Sequence, residues 1–127
     1  MEHPIVAKIL KEGINSVDLS MLDISKENQI WNFVGEKLYK LNKVPEAVTI
    51  LEKTSNFDKL KEMGDELLMQ NKAELAALCF IPTKDKERLN NVAVLCMKAL
   101  NHKLAAEAYR AADNIDMAEF LEDNYCI

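Results

Sequence analysis

A chain of 127 residues is long enough for one compact domain or about three helical hairpins. With 49% apolar residues but only 3 Gly and 3 Pro, it can fill a core, which excludes long linkers, low-complexity tracts and a turn-rich β fold. Sixteen basic against 21 acidic side chains leave a net charge of −5, which repels phosphate backbones and counts against nucleic-acid binding.

Pro4 can open a first short helix with Ile5, Ile9 and Leu10 as its stripe, ended by Gly13. Residues 14–23, with Val17, Leu19, Met21 and Leu22 among Ser and Asp, read as a connector. Ser25 is a suitable N-cap for the next helix, and Glu27 adds negative charge to its first turn. Ile30, Val34, Leu38 and Leu41 then recur at helical spacing beside Trp31. Gly35 lies inside this helix, where it costs about 1 kcal/mol relative to Ala. Close approach of a neighbouring helix is the compensation it implies.

Val44-Pro45 starts the following helix, with Ala47, Ile50 and Leu51 facing inward. Thr54-Ser55-Asn56 breaks it, and Asn56 or Asp58 caps a helix carrying Leu60, Met63, Leu67 and Leu68, with Gly64 in the phase of Gly35. The run Ala73 to Phe80 is narrow and alanine-rich, and Pro82 ends it. Thr83 then caps a helix bearing Leu89, Val92, Cys96 and Leu100. After a turn at His102 come Leu104, Ala105, Ala108 and Tyr109. Asp113-Asn114 interrupts, and Ile115, Ala118 and Leu121 form the last stripe.

These segments repeat. Asn42, Asn71 and Asn101 follow similar helices at intervals of 29 and 30 residues, and each precedes an alanine-containing helix. A fixed period in this range marks a stack of helical units that bury their apolar faces against neighbours. The sequence therefore predicts an all-α fold: an α-solenoid of about three TPR-like helical hairpins. A short N-terminal helix and connector occupy residues 1–24, and the repeats occupy 25–127.

The residues that carry chemistry are sparse. His3, His102, Cys79, Cys96 and Cys126 show no paired metal-ligand spacing, so no metal site is expected. Cys79 and Cys96 sit at apolar helix positions, where a thiol is an inert filler, and three cysteines in all, an odd number without paired spacing, suit a reducing, cytoplasmic setting. No Gly-rich phosphate loop is present, and adjacent carboxylates such as Asp65-Glu66 diverge on a helix. No catalytic or cofactor-binding residue is expected. Lys84, Lys86 and Arg88 alternate with Asp85 and Glu87 and read as an exposed helix start. Met1-Glu2-His3-Pro4 carries acid where a signal peptide needs positive charge. The longest apolar run, Leu75 to Ile81, is too short to cross a bilayer, so no direct membrane insertion is expected.

The segment Trp31-Asn32-Phe33-Val34-Gly35-Glu36-Lys37-Leu38, then Ala47, then Asn56-Phe57-Asp58-Lys59-Leu60, resembles a known repeat family. It is similar to the helical-repeat region of proteins built from WD propellers followed by a TPR-like solenoid, the large coatomer subunits and the intraflagellar-transport subunits. Ala105-Ala106-Glu107-Ala108-Tyr109-Arg110-Ala111-Ala112-Asp113 is similar to the second helix of such repeats. The resemblance spans roughly residues 26–122. The chain is far shorter than those subunits, and no propeller sequence precedes the repeats. The resemblance implies a non-catalytic scaffold, a subunit or fragment of an intraflagellar-transport or vesicle-coat assembly. Such a protein would lie in the cytoplasm, at cilia or on transport vesicles through its partners.

The expected partners are other protein subunits or a second copy packed end to end. Ile5, Ile9, Phe120 and Tyr125, near the two ends, are the candidate apolar contacts. The alternative reading is a small helical adaptor that binds a partner helix or peptide in a groove.

Overall fold

Left-handed backbone recurs at fixed intervals along the chain, in two series. Asn42, Asn71 and Leu100 have φ of 62°, 60° and 65°, and each lies 29 residues from the last. Ser55, Lys84 and Asp113 have φ of 57°, 57° and 64°, again at intervals of 29. At every one of these sites except Lys84 the helix closes in the same way. The left-handed residue donates its N–H three residues back, and the next N–H reaches five residues back. Examples are Lys43 to the Leu38 carbonyl and Asn101 to the Cys96 carbonyl, both at 2.9 Å. These are Schellman closures, which satisfy the carbonyls orphaned at a helix C-terminus. None uses glycine, the residue that adopts this conformation without steric cost.

The structure, a computed structural model, describes Leu10 and residues 24–125. The closures divide residues 24–125 into seven helices: α1 (Ile24–Lys40), α2 (Val44–Lys53), α3 (Phe57–Met69), α4 (Ala73–Phe80), α5 (Lys86–Lys98), α6 (His102–Ala111) and α7 (Ile115–Tyr125). A 3-10 turn, Ile81–Thr83, follows α4, with Pro82 inside it. The all-α expectation holds: no strand occurs among the described residues. The predicted helix at Ile5–Leu10 and its end at Gly13 lie outside them, Leu10 apart. The chain forms two compact units, Met1–Asn56 and Phe57–Ile127.

In the first unit α1 packs against α2. A Cβ on Gly35 would lie 2.8 Å from Leu51 Cγ, so the missing side chain is what lets Leu51 seat. Val34, Ala47 and Leu51 are fully buried there. Thr54 donates to Asn32 Oδ1 at 2.6 Å, and Lys53 Nζ lies 5.1 Å from the Trp31 ring centroid.

In the second unit each helix packs against its chain neighbours, and α4 also meets α6. Gly64 repeats the device of Gly35: a Cβ there would come within 2.6 Å of Phe80 Cζ. The third copy of the position is Ala93, and Tyr109 lies 29 residues after Phe80; both are buried. Thus small residues stand at 35, 64 and 93 and large ones at Leu51, Phe80 and Tyr109, each series at the 29-residue spacing. Ala47, Ala76 and Ala105, at the same spacing, are fully buried.

Charge joins α3 to the start of α5. Arg88 grips Asp65 with two bonds, Nε to Oδ1 at 3.0 Å and Nη2 to Oδ2 at 2.8 Å, and reaches Asp85 Oδ2 at 2.7 Å through Nη1. Lys61 lies 3.7 Å from the same Asp85 oxygen. Asp85 is also the N-cap of α5, accepting from the Arg88 backbone N–H. The predicted cap, Thr83, instead donates to the Phe80 carbonyl at 2.6 Å. The intervening Lys84 corner carries the chain two residues further before the helix starts.

Several inward assignments change. Leu41 and Leu100 continue the apolar stripes in sequence, but both stand beyond the helix end and are exposed. Of the other aromatic residues, Trp31 and Phe80 are core, Phe33 and Phe57 are exposed, and Phe120 is exposed as expected of a surface contact. Ser25 lies inside the first turn of α1, not before it.

The Asp85 cap makes a testable contribution. Asp85→Ala removes the cap and two ion pairs and should cost about 1–2 kcal/mol in urea unfolding at neutral pH. The Arg88 backbone N–H first, then its guanidinium, holds the Asp85 carboxyl below the usual range. A lowered folded pKa gives stability that is complete above the unfolded value, about 3.9 for Asp, and lost as pH falls through the folded value. The advantage of the native chain over Asp85→Asn should therefore shrink as pH falls below about 4. An advantage that stays constant through that acid range would refute the assignment.

Candidate interaction surface

α6 and α7 shape a cleft in the second unit. Asn101, one residue past the left-handed corner at Leu100, caps α6: its Oδ1 accepts from Leu104 N–H at 3.1 Å. Its Nδ2 donates to Glu74 Oε2 of α4 at 3.1 Å. That fixes the first turn of α6 and sets His102 facing α7, where its ring stacks on Tyr125 at 4.5 Å and 14°. Phe120 meets Tyr125 edge-on, centroids 6.2 Å apart at 62°. Arg110 crosses from α6 to Glu122 on α7, its Nε donating at 3.1 Å. That carboxylate raises the arginine's pKa, and solvent screens an ion pair so exposed.

Between these side chains lies an open cleft of about 780 Å³ whose lining includes Leu100, His102, Ala106, Glu107 and Tyr125. Its chemistry is mixed. Leu100 contributes an apolar side chain that is 77% exposed. Lys103 and Arg110 bring positive charge, and Glu107 and Glu122 bring negative charge. α7 itself carries Asp116, Glu119, Glu122 and Asp123 and no basic residue.

Of the four residues singled out in sequence, Ile5 and Ile9 lie outside the described residues. Phe120 and Tyr125 are 51% and 55% exposed and are brought together on α7. His102 reads in sequence as a turn or surface residue, yet its stack on Tyr125 forms one side of the cleft. The signal that could have found it is its helical phase: His102, Ala106 and Arg110 share one face of α6.

Of the described residues, neither Cys79 nor Cys96 offers a nucleophile. Burial pushes the Cys79 thiol up to about 12. Cys96 rises to about 11, through burial first and the nearby Glu74 charge second. Both stay protonated at neutral pH, where the thiolate is the reactive form. Among the described residues no three His, Cys, Asp or Glu side chains converge closely enough to hold a metal ion. No helix among them is long and apolar enough to cross a membrane. Comparison with protein families, curated proteins and solved structures finds no match to this chain.

Proposed function

We propose that this chain is a non-catalytic protein-interaction scaffold, an α-solenoid of TPR-like hairpins that presents a shaped surface to other protein subunits. The observation that carries the reading is the double series of left-handed corners at 29-residue intervals, with small residues opposite large ones in the same phase. Repetition of this kind builds surface area from one packing rule and needs no catalytic centre. The resemblance to coatomer and intraflagellar-transport repeats makes a ciliary-transport or vesicle-coat assembly in the cytoplasm the first one to examine.

Two measurements test this. Deleting residues 72–100 removes one whole period and joins Asn71 to Asn101, restoring the order of corner then cap. That chain should keep a helical circular-dichroism spectrum and a cooperative melt, whereas deleting residues 72–95 should not. Equal loss in both would dismiss the repeat architecture. For the scaffold role, crosslinking of the full chain in native extract should capture stoichiometric protein partners. A chain recovered wholly as free monomer would refute it.

A further inference from the structure

The first series of left-handed corners differs from the rest of the surface in what it displays. Among the described residues the three most exposed large apolar side chains are Met69, Leu100 and Leu41, at 86%, 77% and 58%. Each stands at one of these corners. Leu41 precedes Asn42, Met69 lies two residues before Asn71, and Leu100 is itself left-handed. The charges beside them have one sign. Lys40 and Lys43 flank the first corner, Lys72 follows the second, and Lys98 and Lys103 flank the third, all exposed. Residues 37–45, 67–73 and 89–106, which contain the three corners, hold no Asp or Glu. The second series of corners has acid at or beside each, with Asp58 after Ser55, Asp85 after Lys84, and Asp113 itself.

These choices work against local stability. Lys43 and Lys72 are the N-caps of α2 and α4, yet neither side chain makes a capping bond. A cation there also meets the positive end of the helix dipole. Asn101, the third copy of the position, does cap its helix. Leu100 in turn holds left-handed backbone where the first two copies have Asn. A role outside the fold accounts for all three.

Within the second unit, Asn101 bonds to Glu74 at the head of α4, so the corners at Met69–Lys72 and Lys98–Lys103 share one edge. That bond also ties the acid nearest to the edge. Protein partners favour anchors that enter pockets. A bilayer interface instead accepts projecting apolar side chains, with lysines reaching to the headgroups. The exposed stripe of α3, Asp58, Glu62 and Glu66, and the charged residues of α7 are acidic. Repulsion would turn those faces away from a negative surface and bring this edge towards it.

We propose that this edge of the second unit rests on an anionic phospholipid surface. Met69 and Leu100 enter the headgroup boundary, and Lys72, Lys98 and Lys103 pair with the lipid anions. It is a surface contact and spans nothing. Lys40, Leu41 and Lys43 repeat the chemistry in the first unit. Lipid contact is independent of the scaffold reading: captured partners without vesicle binding would keep the scaffold and end this inference, and the converse result would do the reverse.

The test is sedimentation of the full chain with phosphatidylcholine vesicles containing about one-third phosphatidylserine, against phosphatidylcholine alone. Binding to the anionic vesicles is expected, with little to the neutral ones, and about 0.5 M salt should weaken it. Lys72→Asn is the sharpest variant. It supplies the missing cap, so it should raise the urea midpoint while weakening vesicle binding about fivefold. Loss of binding there is not loss of folding. Met69→Gln and Leu100→Asn should each weaken binding about fivefold, while Phe33→Ala, an exposed aromatic in the middle of α1, should change nothing. With anionic bicelles bearing a paramagnetic headgroup, amides 69–72 and 98–103 should broaden first. Failure to sediment, equal binding to neutral vesicles, or full binding in the chain combining Met69→Gln, Lys72→Asn and Leu100→Asn would overturn the proposal. So would broadening centred away from the corners. Indifference to vesicles together with saturable binding of a polyglutamate peptide at these corners would overturn it too, and would assign the edge to an acidic protein segment.

Discussion

Gly64→Ala should destabilise the native chain by about 1–3 kcal/mol in urea unfolding, the cost of overpacking a filled core. The sign is unusual, because replacing a mid-helix glycine by alanine normally stabilises by about 1 kcal/mol. It inverts here because the added methyl would meet the Phe80 ring, which is fully buried. Phe80→Val, which removes those ring atoms, should itself cost about 2–4 kcal/mol through the cavity it leaves. In that background Gly64→Ala should revert to stabilising, by about 0.5–1 kcal/mol. A double-mutant cycle reads the coupling directly. Stabilisation by Gly64→Ala in both backgrounds would show that the crossing is looser than the geometry requires.

Two leucines of one apolar stripe should respond in opposite directions. Leu89→Ala is expected to cost about 2–5 kcal/mol, since Leu89 is fully enclosed on α5 and its truncation opens a cavity. Leu100→Gly is expected to gain about 1 kcal/mol. Leucine pays about 1–2 kcal/mol to sit in left-handed backbone, glycine pays little, and the extra flexibility of glycine in the unfolded chain offsets part of the gain. Shifts in the urea midpoint at constant slope would measure both. Loss of stability in Leu100→Gly would mean that its side chain is held by contacts that its exposure contradicts.

The difference between these leucines marks where the sequence stops being readable. Spacing of three and four places Leu89, Val92, Cys96 and Leu100 on one face, but periodicity carries no information about where the helix ends. The asparagines blur that boundary too. Asn42 and Asn71 occupy the left-handed corner, whereas Asn101 has moved one residue on and caps α6, so the intervals of 29 and 30 conceal a strict 29 in the backbone. What was legible has a strong local cause: the helices themselves, the break at Pro82, and the crowded crossings implied by Gly35 and Gly64. The Arg88 clamp was not, because a run of alternating charge looks the same whether it faces water or a neighbouring helix. Of the candidate surface, Phe120 and Tyr125 could be singled out in advance. The His102–Tyr125 stack could not, since it depends on how α6 and α7 lie together.

The described helix–helix packing in each unit joins segments close in sequence, and even the bond from Asn101 to Glu74 spans only 27 residues. Little loop entropy must therefore be surrendered before a contact forms, which places the chain among fast-folding topologies, in the microsecond-to-millisecond range. Within the second unit each helix can pack on its predecessor as it leaves the ribosome, which leaves few sticky intermediates waiting for a distant partner.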